Sequence, residues 1–236
     1  MSATENQPIP LKELLIEATF APNRALRPEV KTIDLGVLGQ EAEKLYDRGE
    51  QEFEEIEFGQ MAIVTSDRRL LLLKEDIVGE RRQVHMKLGF KITVLEVSDT
   101  FPKRFRQNRF MAVAIHNHPL EMPPSTFDLN NLFLSDKSPL AHTAVLVASP
   151  TKKTLIFRGL DTPQWSEEEI ELNRLMWDLD SQTRFEQFYT DNMTVIETTA
   201  LSSRVQNIVL NHIALEHDLR VFICPLRQNI ASLATF

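Results

Sequence analysis

The sequence predicts an α/β (α+β) protein, a mixed β-sheet flanked by helices with a mostly helical C-terminal extension. Short apolar or alternating runs at Phe58 to Val64, Phe110 to Ile115, His142 to Ala148 and Thr154 to Arg158 have strand length and alternate with helical patterns. At Thr162-Pro163 the character changes, and long stretches of helical spacing follow. The chain of 236 residues is 42% hydrophobic and 25% charged, which suffices for a sizeable core. One core of about 110–160 residues with terminal additions fits this length. The predicted divisions are an N-terminal segment 1–42, a central domain 43–160 and a helical extension 161–236.

In chain order, Leu11 to Ile16 forms a short amphipathic piece, followed by a connector containing Pro22 and Pro28. Ala42, Leu45, Tyr46 and Phe53 recur among charges at helical spacing, which predicts a surface helix over Gln40 to Phe53. Phe58 to Val64, a turn at Ser66-Asp67-Arg68, and Leu70 to Leu73 make a hairpin, and a further strand lies near Ile92 to Val97. A helix begins at Asp128 and runs to Phe133. Ser149 to Lys152 links the strands that end at Ala148 and begin at Thr154. Ser166 caps a helix, with Glu169 completing a capping box, and Ile170 to Tyr189 continues it. A second helix spans Leu201 to Glu216, and Val221 to Cys224 reads as a strand. Trp165, Leu172, Leu175, Met176, Leu179 and Phe188 are expected to pack on the core, the alternative being a partner or dimer surface, so that a homo- or hetero-oligomer would form through these helices.

Composition excludes several classes of function. No apolar run reaches membrane-spanning length, and the polar start MSATENQPIP lacks the features of a secretory signal. One cysteine, Cys224, rules out an internal disulfide framework and a multi-cysteine zinc site, so a reducing, cytoplasmic setting is expected. The net charge of −8 argues against a general grip on nucleic acid. The one basic stretch, Lys103 to Arg109, reads as a solvated face.

The chemistry concentrates in HNHPLEMPPSTFD. His116 and His118 stand at i and i+2 at the end of a buried strand and project to one side of an extended backbone. Asp128 offers a hard oxygen after a turn stiffened by Pro123-Pro124. Two imidazoles and a carboxylate leave the fourth tetrahedral position open, the pattern of catalytic zinc. His85 is isolated, and His212 and His217 are five apart and share no helix face.

The HNHP tetrad and the P-S-x-x-D ending resemble the JAMM (JAB or MPN) metallopeptidases, most closely the bacterial RadC-like branch, over residues 43–160. The resemblance implies a cytidine-deaminase-like layering of sheet and helices, Zn2+ on His116, His118 and Asp128, and a Ser125 that holds the developing oxyanion or orients the water. It also implies a general-base glutamate upstream. Of Glu52, Glu54, Glu55 and Glu57, the last is favoured, because FGQMAIVTSDRRLLLL follows it in the family's layout. His142, opening AHTAVLVASPTKKTLIFRG, corresponds to a histidine of the family, with packing or support of a ligand as its expected part. The sequence departs from the pattern once: nine residues separate His118 from Asp128, one fewer than the family's ten. The implied activity is zinc-dependent cleavage of an amide bond in a protein substrate, such as the C-terminal tail of a ubiquitin-like protein. The alternatives are a non-catalytic MPN-type scaffold or binding module and a RadC-like role connected with DNA.

Overall fold

The computed structural model describes residues 7–51, 56–73, 77–81, 109–136, 138 and 141–235. Its elements are β1 (Ile9–Pro10), α1 (Leu11–Thr19), β2 (Thr32–Asp34), α2 (Gly36–Gln51), β3 (Ile56–Thr65), β4 (Leu70–Leu72), β5 (Ile77–Arg81) and β6 (Arg109–Asn117). Then follow α3 (Thr126–Leu129), β7 (Ala144–Ala148), β8 (Lys152–Arg158), α4 (Glu167–Phe188), α5 (Val195–Glu216), β9 (Leu219–Pro225) and β10 (Ile230–Leu233). Mixed α/β architecture is therefore observed.

The strands form one sheet in the order β1-β2-β10-β9-β8-β7-β6-β3-β4, with β5 also pairing β3. The β1–β2 and β6–β7 pairs are parallel and the other pairs antiparallel. A parallel pair cannot be joined by a tight hairpin; its crossover must travel the length of the strand. Between β6 and β7 that crossover is the HNHP segment with α3, so the parallel direction of the pair places a long connection at the carboxyl end of β6.

Alternation along the strands sorts the core into two layers. Leu11, Leu14 and Leu15 of α1, with Leu38, Ala42 and Leu45 of α2, pack on Val113, Ile115 and Leu146. On the other face, Trp177 of α4 and Val209, Leu210 and Ile213 of α5 join Ala114, Val145 and Ile156. A register shift opposite Ala62/Ile63 leaves Ala112 and Val113 both in the first layer, after which Ala114 returns to the second.

The sheet crosses both expected divisions: β2 lies at the N-terminal end and β9–β10 belong to the C-terminal extension, while residue 42 falls inside α2. β1, β2 and β10 have two to four residues, too few to display alternation. The capping box at Ser166 and Glu169 is present as expected. The next helix starts at Val195 instead of Leu201, because Thr194 and Glu197 make a second box.

The packing of α4 corrects one expectation. Ile170 and Trp177 are its buried residues, whereas Leu172, Leu175, Met176, Leu179 and Phe188 are 53% to 63% exposed. Apolar residues lie on two sides of this helix, so hydropathy alone does not choose the inward one. An aromatic cluster does: Trp165 stacks on Phe133 at 4.6 Å, and Trp177 and His217 complete the group.

The expected strand Ile92 to Val97, His85, Lys103 to Arg106, and the glutamates Glu52, Glu54 and Glu55 lie outside the described residues. Among the described residues, no helix is long and apolar enough to cross a membrane.

Candidate metal centre

β6 carries an apolar run into the middle of the sheet and ends in the polar residues His116 and Asn117, level with the end of β7 at Ala148. His116 sits opposite Gly59 of β3 and beside Val147 of β7. His118 lies just beyond the strand, where its backbone N–H donates to the Ala148 carbonyl at 2.7 Å. Both rings are buried, and their Nε2 atoms approach to 3.2 Å. The His118 Nδ1 lies 3.3 Å from the Met122 carbonyl, which orients the ring with Nε2 toward its partners.

Asp128 is presented by the one-turn helix α3. Ser125 is its N-cap: the Ser125 N–H and Oγ–H donate to Asp128 Oδ2 at 2.6 and 2.8 Å, and the Asp128 N–H returns to Ser125 Oγ. This reciprocal cap turns Oδ1 to His116 Nε2 at 3.0 Å and leaves Oδ2 at 3.5 Å from His118 Nε2. The shorter loop between His118 and Asp128 thus still reaches both imidazoles. A hydroxyl has one hydrogen, and in this arrangement that of Ser125 goes to Asp128. The loop is tied to the C-terminal extension as well, through Thr126 Oγ1 donating to Asp178 of α4 at 2.6 Å.

His116, His118 and Asp128 form a group able to hold a metal ion, with one ligand atom from each all within 4.8 Å of one another. Ligand atoms 2.0–2.1 Å from a tetrahedral zinc lie about 3.3–3.4 Å apart. His116 Nε2 lies 3.2 Å from His118 Nε2 and 3.0 Å from Asp128 Oδ1, near that spacing, while His118 faces the other carboxylate oxygen, Oδ2, at 3.5 Å, and the donor set suits the ion. The electrostatics agree. Burial pushes the Asp128 carboxyl up, but His116 and His118 outweigh it and hold it well below the usual carboxylate range. Burial lowers His118, yet the hydrogen bond and charge of Asp128, the charge of Glu57 and the Met122 carbonyl carry it up to about 9. A positive charge is favoured at this point, whether a proton or a metal supplies it.

Glu57 is 9% exposed on β3, in register with the same sheet face as Met61 and close enough for its charge to act on His118. The backbone on each side of it is held by Asn117, the residue between the two histidines. Asn117 Oδ1 accepts from the Phe58 N–H at 2.6 Å, and its Nδ2 donates to the Ile56 carbonyl at 3.4 Å. Asn117 is fully buried against α2, where a Cβ on Gly49 would come 2.4 Å from Asn117 Nδ2 and 3.0 Å from the Ile56 carbonyl. Neither Asn117 nor Gly49 was identifiable as a site residue from the sequence. Asn117 alternates with His116 and so points to the opposite face, the one available hint. His142 lies near His116 and is 2% exposed, its pKa pushed down to about 3 by burial and by the charges of Arg24 and His116. It is not one of the three grouped ligand residues.

Comparison with known proteins returns no matching family model, no matching curated protein and no matching solved structure.

Proposed function

We propose that this protein is a zinc-dependent metallopeptidase or isopeptidase of JAMM (JAB/MPN) type that cleaves an amide bond in a protein substrate. The observation that carries this reading is the convergence of His116 Nε2, His118 Nε2 and the Asp128 carboxylate at ligand spacing, with the Glu57 carboxylate on the same sheet face. Zinc held there would polarise the scissile carbonyl and lower the pKa of a water to about 7.

The chain's own groups divide the remaining tasks. Glu57 removes a proton from the attacking water and delivers it to the departing amine, work that a buried carboxylate beside the site can do in both directions. Asn117 keeps the Glu57 backbone in register with β6, and Ser125 holds Asp128. An extended substrate tail, such as that of a ubiquitin-like protein, would add a strand beside a sheet edge near the site.

Purified protein should contain about one zinc per chain, as a three-ligand catalytic site requires. Glu57→Gln should keep that zinc and lose cleavage of a fluorogenic amide placed on a ubiquitin-like C-terminal tail. Natively folded protein that takes up no zinc would sink the proposal.

A further inference from the structure

The α4 helix carries an apolar stripe that its own fold does not cover. Leu172, Leu175, Met176 and Leu179, at i, i+3, i+4 and i+7, are 53% to 63% exposed. At 3.6 residues per turn they occupy about 100° of the helix circumference. Ile170 and Trp177, the buried residues of the helix, lie on the opposite side. Side chains of this size and exposure offer roughly 100 Å² each, so the stripe amounts to roughly 400 Å². A contiguous apolar patch of a few hundred Å² is commonly an interaction surface.

We infer that the stripe is covered by the same stripe of a second copy of this chain, the two α4 helices lying antiparallel across a two-fold axis. Such an axis demands a surface that complements itself. An axis passing between Leu175 and Met176 sets Leu175 against the partner's Met176 and Leu172 against the partner's Leu179. Every apolar residue of the stripe thereby meets an apolar one. The charges one turn further out select the antiparallel direction. Glu168 and Glu169 precede the stripe on the same side of the helix, Gln182 and Thr183 follow it, and all four are exposed. Antiparallel pairing brings Glu168 to the partner's Thr183 and Glu169 to the partner's Gln182, both neutral. Parallel pairing would set each glutamate against its own copy, and like charges in opposition disfavour that arrangement.

The area agrees with a reversible dimer. Homodimer interfaces are about 65% apolar, so roughly 400 Å² of apolar surface corresponds to roughly 600 Å² per copy. The total of roughly 1,200 Å² stands at the lower bound of specific, stable interfaces, and self-association in the micromolar range is expected. None of the proposed zinc ligands takes part, so this inference and the hydrolase reading stand or fall separately.

Sedimentation velocity of the full-length protein between about 1 and 200 µM should show a monomer–dimer equilibrium. Leu175→Glu places a charge beside the axis in both copies and should weaken self-association by at least about 100-fold, whereas Leu175→Met should preserve it. Thermal melting checks that Leu175→Glu is folded. The direction of pairing is read by disulfide cross-linking, for which the native Cys224 is buried. Tagged Glu168→Cys protein mixed with untagged Thr183→Cys protein should form a mixed disulfide, and neither variant alone should cross-link. A monomer over the whole concentration range overturns the inference and leaves the stripe to a different protein or to another part of this chain. A dimer that folded Leu175→Glu leaves intact overturns it too, as does Glu168→Cys protein that cross-links to itself.

Discussion

Three helices among the described residues begin with the same reciprocal cap, and one of the three caps faces the candidate metal centre. Ser166 with Glu169 and Thr194 with Glu197 are exposed: hydroxyl and N–H both donate to the glutamate carboxylate at 2.8–2.9 Å, and nothing else is asked of it. Ser125 with Asp128 repeats these contacts at 2.6 and 2.8 Å, but the carboxylate is 14% exposed and its second oxygen faces His116. The shorter side chain makes the difference. A glutamate reaches back over its own first turn, whereas an aspartate held by the cap keeps its free oxygen close to the backbone that positions it. The outer pair start helices of 22 residues; the inner one starts a single turn of four, whose main product is a directed carboxylate.

Substitutions can break this contrast. The largest effect is expected at Asp128: Asp128→Ala should abolish zinc binding, while Glu169→Ala should leave zinc stoichiometry unchanged by elemental analysis. Next comes the flank that the cap does not control. Gly49→Ala forces the Asn117 side chain and the Ile56 carbonyl to move, and so displaces the backbone beside Glu57 on the face opposite His116. Zinc should remain, and amide cleavage should fall by about 100-fold, as misplacement by an ångström can produce.

Ser125→Ala should weaken zinc binding by about 10–100-fold, the usual consequence of removing a partner of a metal ligand. Ser166→Ala and Thr194→Ala should cost about 1 kcal/mol of stability each in thermal melts and leave zinc affinity untouched. A competition titration with a chelator separates the two outcomes; equal zinc affinity in all three variants would show that the inner cap is an ordinary one.

Acid provides the finest comparison. The Ser166 backbone N–H and hydroxyl lower the Glu169 pKa from its ordinary 4.5, and Thr194 does the same for Glu197. A depressed carboxylate stabilises the fold fully above its unfolded pKa and loses that contribution as pH falls through its folded one. Asp128, between two imidazoles, lies well below the ordinary 3.8. Acid titration followed by NMR should therefore protonate Glu169 and Glu197, fraying the starts of α4 and α5, at higher pH than it protonates Asp128.

Much of this was legible in the chain. The i, i+2 histidines at the end of an apolar run are a local pattern, and the S-x-x-E spacing at Ser166 announces a helix start, whereas the cap at Ser125 starts α3 at Thr126, two residues before the expected Asp128. Long apolar strands such as β3, β6, β7 and β8 were readable because their neighbours on both faces are buried. β2 and β10 were not, since three or four residues carry too little pattern and their register depends on each other. The inward side of α4 was equally hidden, because it is set by the Phe133, Trp165 and Trp177 cluster and not by the helix's own apolar stripe.

The sequence by itself determined which residues are chemically equipped to hold a metal: two histidines one residue apart and an aspartate within its own cap, all inside thirteen residues. Their meeting at ligand spacing was decided by the tertiary structure. The parallel pairing of β6 with β7 compels a crossover at that strand end, and Thr126 anchors the crossover to α4. The place of Glu57 was likewise a tertiary matter, because it comes from a different strand, held through Asn117 against a helix that can approach only because residue 49 is glycine.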